Sequence, residues 1–285
     1  MKFLQNPTLS LGLKSLESIN TTIISDIYSS VNVLVDENTQ KHCIPILKKY
    51  IEINEIFSVK SGEKNKSIYT CIEIWEQLST ANIDRKALLI NLGGGVLCDM
   101  GGLIASTYKR GIDFINIPTT ILSMCDAGIG GKLAVNINGL KNEIGLFNNP
   151  IATIIYPDFI KTLPERHKLS GFAEIIKHAL IGDNKLFYKL ASINSIYDDI
   201  EKHISISLKI KKRIVKLDPF EKNIRKALNF GHSIGHALEA FSLESKGEDY
   251  IYHGEAIAAG MIAESYISYI RKFISKTELD KITKF

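Results

Sequence analysis

The sequence predicts an N-terminal α/β domain with a parallel, helix-covered sheet, followed by a helical domain. Three observations carry that prediction. Short β-branched runs alternate with helical stretches through the first half of the chain. From about Pro164 onward the β-runs give way to long helical periodicity, with Phe172, Ile175, Ile176, Ala179 and Leu180 falling on one helical stripe. Between the two lies Tyr156–Pro164, which holds two of the seven prolines. The predicted domains are therefore residues 1–160 and 161–285.

Taken in order, Val31–Val35 predicts a strand and Gln40–Tyr50 a helix. Ile56–Val59 is the next strand, and Lys64–Leu78 the next helix, carrying the only tryptophan, Trp75. Ala87–Asn91 is apolar and breaks into Gly93-Gly94-Gly95. Phe114–Ile117 is a further strand-like run ahead of Pro118-Thr119-Thr120. Internal repeats and low-complexity segments are not found.

Composition narrows the function classes. The 285 residues are 45% hydrophobic and 23% charged, as in ordinary globular proteins. The formal charge of +4 is spread over a mixture of Lys and Asp/Glu, with no basic block, so nucleic-acid binding has no specific support. A small anionic substrate and a Lys-rich genome explain the surplus equally well. Met1–Asn20 lacks the apolar core of a signal peptide, and no run is long enough to cross a membrane. The four cysteines are scattered without a C-x-x-C pair, which fits a reducing cytoplasm.

Leu89–Asn91 leads into Gly93-Gly94-Gly95-Val96, then Asp99 and Gly101-Gly102. Glycines between a strand and a helix let backbone N–H groups approach a phosphate at the positive helix end. The run is not the G-x-G-x-x-G fingerprint, and alone it serves equally as a tight turn. Downstream come Thr119, Thr120, Asp126, Gly130-Gly131-Lys132, Lys141-Asn142 and Gly145. Small residues, hydroxyls and cations in that density predict an anion-lined cleft.

In the second half, His232 and His236 stand four residues apart on one helix face. H-x-x-x-H is a zinc-chelating spacing, although an isolated pair is more often structural. His253 opens another helical segment, and Glu174 lies on the polar face of the Phe172 helix with Lys177 beside it. One Glu and two or three His can build an open metal site. Spacing alone leaves open which histidines bind. His42, His167 and His203 are expected at the surface, and His178 in a structural role.

Read together, these blocks resemble the 3-dehydroquinate synthase family of sugar-phosphate cyclases from about Val33 to Ser265. The motifs are GGGVLCDMGG (Gly93–Gly102), KRG (Lys109–Gly111), PTT (Pro118–Thr120), DAGIGGK (Asp126–Lys132) and KNEIGLF (Lys141–Phe147). They continue with GFAEIIKHALIGD (Gly171–Asp183), NFGHSIGHALEA (Asn229–Ala240) and HGEAIAAGM (His253–Met261), all in family order.

The resemblance implies an NAD-binding α/β domain over 1–160 and a helical metal- and substrate-binding domain over 161–285, incomplete at its C-terminus. It assigns a divalent metal, zinc or cobalt, to Glu174, His232 and His253, and makes His236 a proton-transfer group. NAD contacts are implied for Asp36, Glu37, Asn38, Glu63, Lys66, Gly94, Gly95, Asp99, Thr119, Thr120, Lys141, Phe159 and Thr162. Substrate contacts are implied for Arg110, Asp126, Lys132, Asn142, Lys177, Lys211, Arg225 and Asn229. The implied reaction is that of a carbon–oxygen lyase of aromatic amino acid biosynthesis. It turns 3-deoxy-D-arabino-heptulosonate 7-phosphate into 3-dehydroquinate and phosphate with only transient NAD reduction. A homodimer is implied as well.

Three alternatives accompany that expectation. A sister cyclase of the 2-deoxy-scyllo-inosose or 2-epi-5-epi-valiolone synthase type would share the metal and NAD residues, but its substrate lacks the carboxylate met by Lys211 and Arg225. A glycerol-dehydrogenase-like oxidoreductase would have no use for Lys132, Asn142 and Lys177 as phosphate ligands. The third is a catalytically impaired, truncated homologue. Members of the family continue past the helix ending near Ile274, so a substrate lysine and part of the apolar cover of the helical domain are expected to be missing, with weak activity as the consequence.

Overall fold

The computed structural model describes residues 8–19, 27–193, 195–245 and 250–284; residues 1–7 and 20, covered by the leader reading above, lie outside them. Two compact units divide the chain, Met1–Leu163 and Pro164–Phe285.

The first unit is built on β1 (Thr8–Leu11), β2 (Val31–Asp36), β3 (Glu55–Val59), β4 (Leu88–Gly93), β5 (Asp113–Pro118) and β8 (Ala152–Ile155), paired in the order β1-β8-β5-β4-β2-β3. All five pairings are parallel. β4 is buried along its whole length and β2 nearly so, as required of strands covered on both faces. Their apolar side chains Leu34 and Leu89 join Ile74 and Leu78 of α3 (Ile68–Thr80) and Met100 and Ile104 of α4 (Gly95–Thr107) in one core.

Local chemistry moves some boundaries from the expected ones. Gln40–Tyr50 is two short helices, α1 (Glu37–His42) and α2 (Ile44–Leu47). Asp36 starts the first, its carboxylate accepting from the Thr39 N–H (2.8 Å) while the Thr39 hydroxyl accepts from the Asp36 N–H (2.9 Å). Pro45 has no N–H to continue it, and begins the second instead. Ser67 caps α3, so that helix begins at Ile68 rather than Lys64.

The stretch expected as a small-residue cleft is largely an antiparallel hairpin, β6 (Lys132–Ile137) and β7 (Leu140–Phe147). Asn138 and Gly139 make its turn with positive φ at both positions (51° and 77°), the requirement of a two-residue hairpin loop. Leu133 and Val135 of β6 bury into the same core as α4.

The second unit is helical, with no strand among its described residues: α5 (Glu165–Gly182), α6 (Asn184–Leu190), α7 (Ile200–Leu217), α8 (His232–Ser245), α9 (His253–Ile270) and α10 (Lys276–Lys284). Phe172, Ile175 and Ala179 are buried, and α5 packs against α7 and α9. His203, expected at the surface, is fully buried edge-on to Phe172 (ring centroids 6.5 Å apart). It shares the apolar stripe of α7 with Ile204, Ser207, Leu208 and Ile214, and that stripe decides its environment. The outer side of α9 exposes Ile262, Tyr266, Ile267 and Ile270. Among the described residues no helix is long and apolar enough to cross a membrane. All four cysteines are buried free thiols, with Cys43 and Cys71 pushed up to about 12 by burial.

Candidate functional site

In the first unit, the topology makes a crevice. From β2 the chain moves to β3 on one side, whereas from β4 it moves to β5 on the other. Loops leaving the C-terminal ends of β2 and β4 therefore diverge, and the edge between them is where open α/β sheets take ligands. Asp36, Glu37 and Asn38 stand at or after the end of β2, and Glu63 and Lys66 follow β3. Gly94, Gly95 and Asp99 follow β4, Thr119 and Thr120 follow β5, and Phe159 and Thr162 follow β8. Because the sheet is parallel, all these residues share one edge. Lys141 is on β7, next to Asn142, whose side chain accepts from Lys66.

Gly94 is the N-cap of α4, and no side chain among the described residues caps it. The first-turn N–H groups are left for an anion. A Cβ on Gly95 would lie 3.1 Å from Ala127 Cβ, and one on Gly94 3.3 Å from Thr120 Cγ2, so the turn is tightly walled. An uncapped helix start walled by small residues at the sheet's switch point suits the diphosphate of a dinucleotide.

Around it the loops are tied together. Glu37 accepts from the Ser61 N–H (2.8 Å) and hydroxyl (2.7 Å), which lowers its pKa. Buried Lys66 donates to Asp99 and to Asn142, both at 2.7 Å. Asn136 links these to Glu63, donating to its carboxylate (2.9 Å) while accepting from the Asn142 N–H (2.9 Å). Asn142, grouped with substrate residues in the sequence, is thus joined to the Lys66–Asp99 pair. Asp126 lies in the turn Ser123–Ala127, and exposed Lys132 opens β6. Arg110 is not brought to this edge. It follows α4, whose 13 residues run back about 20 Å at 1.5 Å per residue to the opposite edge, where β5 begins.

In the second unit three helices converge. Glu174, at the middle of α5, is fully buried and ion-paired with Lys177, itself 1% exposed. His232 opens α8 and His253 opens α9. The Nε2 atoms of His253 and His232 lie 3.5 Å and 3.8 Å from Glu174 Oε1. Backbone approach makes this convergence possible. A Cβ on Gly254 would stand 1.9 Å from the Ser170 carbonyl oxygen, and one on Gly260 1.9 Å from that of Gly231. Without side chains there, α9 seats directly on α5 and on the turn before α8.

The donor set suits a divalent cation. A tetrahedral ion with bonds of ~2.0–2.2 Å holds its ligands about 3.3–3.6 Å apart, close to the separations from Glu174. The Nδ1–H of His232 donates to the Phe230 carbonyl (3.2 Å), leaving Nε2 to face Glu174. Burial first, and then Lys177, push the pKa of His232 down to about 4, so its imidazole is neutral, as a metal ligand must be. Burial also opposes the charge on His253, but hydrogen bonds to Glu174 and Glu239 outweigh it and raise its pKa to about 9. His236, exposed, has its ring 5.0 Å from that of His232.

Lys211 and Arg225 are also buried, at 5% and 2% exposure. The Asp218 carboxylate organises the loop before Arg225, accepting from the N–H groups of Lys222 (3.0 Å), Asn223 (2.6 Å) and Arg225 (3.1 Å). The Arg225 guanidinium donates to the Pro219 carbonyl, and Asn229 donates to Glu221 (2.6 Å). His178 is buried against Ser207 through Nδ1 (2.6 Å). One participant escaped the sequence reading. Buried Glu239 has Oε2 3.4 Å from His253 Nδ1, and it follows His232 and His236 at i+7 and i+3 on the same face of α8, a signal present in the sequence.

Fold and site define a class: one unit offers a crevice suited to an extended anionic ligand, and the other three side chains that could hold a cation beside a buried lysine. The 3-dehydroquinate synthase N-terminal model matches residues 56–170, and the 3-dehydroquinate synthase C-terminal model residues 171–285. A 3-dehydroquinate synthase of Parabacteroides distasonis is 42% identical over 247 residues, 85% of this chain and 69% of the relative. One of Streptococcus pyogenes is 41% identical over 223 residues, covering 78% of this chain and 61% of its own length. A solved 2-deoxy-scyllo-inosose synthase, complexed with carbaglucose-6-phosphate, NAD+ and Co2+, matches with TM-score 0.86 at 26% identity, over 96% of this chain and 76% of that one. The chain belongs to the 3-dehydroquinate synthase family.

Proposed function

We propose that the chain carries 3-dehydroquinate synthase activity, converting 3-deoxy-D-arabino-heptulosonate 7-phosphate into 3-dehydroquinate and phosphate in the cytoplasm. The observation that carries this reading is the convergence of Glu174, His232 and His253 beside the buried Lys177, in a chain of that family. Glu174, His232 and His253 would hold zinc or cobalt, and the crevice residues from Asp36 to Thr162, with Lys141, would hold NAD. A bound metal would supply a Lewis acid for a substrate hydroxyl, and bound NAD would supply a reversible hydride acceptor.

The chain's own residues do the rest. Lys177, Lys211 and Arg225 supply charge-assisted donors to phosphate and carboxylate, in an environment dry enough to strengthen them. Exposed His236, beside the cation site, moves a proton to or from the substrate. Asp126, Lys132, Asn142 and Asn229 complete the substrate set. Arg110 is included in that set by resemblance to the family, and a homodimer is proposed on the same ground. Buried Lys211 and Arg225 favour an acidic substrate over the carboxylate-free ones of sister cyclases.

Incubation with the heptulosonate phosphate, NAD+ and Zn2+ tests the proposal. Phosphate release and the cyclic product should appear without accumulation of NADH. Turnover of a carboxylate-free heptulose phosphate alone would transfer the assignment to a sister cyclase.

A further inference from the structure

We propose that Glu239 is the positioning residue of His253: its carboxylate accepts the His253 Nδ1–H and so aims Nε2 at the cation. The inference rests on the reading of Glu174, His232 and His253 as metal ligands, and adds a fourth residue that does not touch the ion.

An imidazole ligates through a ring nitrogen that bears no proton, so the proton must be held on the other nitrogen by an acceptor. For His232 that acceptor is local, the Phe230 carbonyl two residues back. His253 gets its acceptor from another helix. Glu239 Oε2 stands 3.4 Å from His253 Nδ1, while His253 Nε2 stands 3.5 Å from Glu174 Oε1 on the opposite side of the ring. The ring is thus held between a ligand carboxylate and an orienting one.

Burial sharpens the argument. Glu239 is 6% exposed, and a carboxylate that deep is costly unless it is paired. Its position two turns along α8 from His232 brings it to α9 only because the two helices run close. A Cβ on Gly235 would lie 3.0 Å from the Ala256 carbonyl oxygen. The same carboxylate sits within reach of His236, its neighbour on α8.

The test uses the full chain and four proteins: wild type, Glu239→Leu, Glu239→Gln and His253→Ala. Circular dichroism without metal checks that each is folded. Zn2+ affinity is measured against a competing chelator, and the visible spectrum of bound Co2+ reports ligand geometry. Glu239→Leu should bind zinc about 10–100-fold more weakly and change the Co2+ bands. Glu239→Gln keeps an acceptor without the charge, and should recover the bands and most of the affinity. Wild-type affinity and spectrum in Glu239→Leu overturn the proposal. If Glu239→Leu does not fold, Glu239→Asp carries the same test, since it keeps the charge but shortens the reach; unchanged binding again overturns it. A wild type without stoichiometric zinc, or a full equivalent in His253→Ala, overturns the ligand assignment and this inference with it.

Discussion

The two units prepare for ligands in opposite ways. In Met1–Leu163 the candidate residues sit on loops at one edge of a parallel sheet, and the key positions are backbone N–H groups at the start of α4. Topology places most of them, with Lys66 buried among them as a cation paired to Asp99. In Pro164–Phe285 the candidates are ionisable side chains inside the helical packing, with Glu174, Lys177, Lys211 and Arg225 all at most 5% exposed. Buried charges stand only when each is matched. The second unit therefore ties function to stability residue by residue, and the first keeps them largely apart.

The sharpest way to break that contrast is Glu174→Ala. It should abolish stoichiometric metal binding, and by removing the carboxylate paired with buried Lys177 it should cost about 3–5 kcal/mol. Elemental analysis and urea denaturation of the metal-free protein measure the two effects. Wild-type stability in this variant would mean that the second unit tolerates its charges as loosely as the first.

His236→Ala tests an exposed member of the same centre. Metal content should be retained while kcat falls ~10²–10⁴-fold, in steady-state assays with metal analysis alongside. Loss of metal here, with normal content in His253→Ala, would exchange the roles of the two histidines.

In the first unit, Lys66→Met removes the cation shared by Asp99 and Asn142. The Kd for NAD should rise roughly tenfold, equivalent to ~1.4 kcal/mol, with metal content unchanged; fluorescence titration with NADH reads the first and elemental analysis the second. A drop in metal content would couple the units in a way the contrast does not allow. The smallest effect expected is that of Ser67→Ala. It deletes the cap of α3 and should lower stability by about 1 kcal/mol in urea, leaving both ligands bound as before.

Much of this was legible in the sequence, and the failures are instructive. Strand–helix alternation and the glycine run located β4, the crevice and α4, because burial on both faces makes β4 a continuous apolar run. The β6–β7 hairpin was missed although Asn138-Gly139 is a hairpin signal. β7 is almost wholly exposed and carries no buried face to give it a period of two. His203 was misjudged as a lone polar residue, when the stripe it shares on α7 was the better guide. Arg110 was grouped with the substrate residues by resemblance, and its place at the other edge of its own sheet becomes visible only from the length and direction of α4.

The sequence by itself determined the division into an α/β half and a helical half, the donor types available and the family, since these are properties of local period and of motifs. It also marked Glu174, His232, His236 and His253 as candidates. Tertiary structure alone showed how closely Glu174, His232 and His253 meet, that Nε2 is the nitrogen facing Glu174 in both histidines, and that Glu239 stands behind His253. The physical reason is that periodicity reports which face of a helix is buried but not what it is buried against. Here that is settled by close backbone contacts, Gly254 on Ser170 and Gly260 on Gly231, between segments remote in the chain.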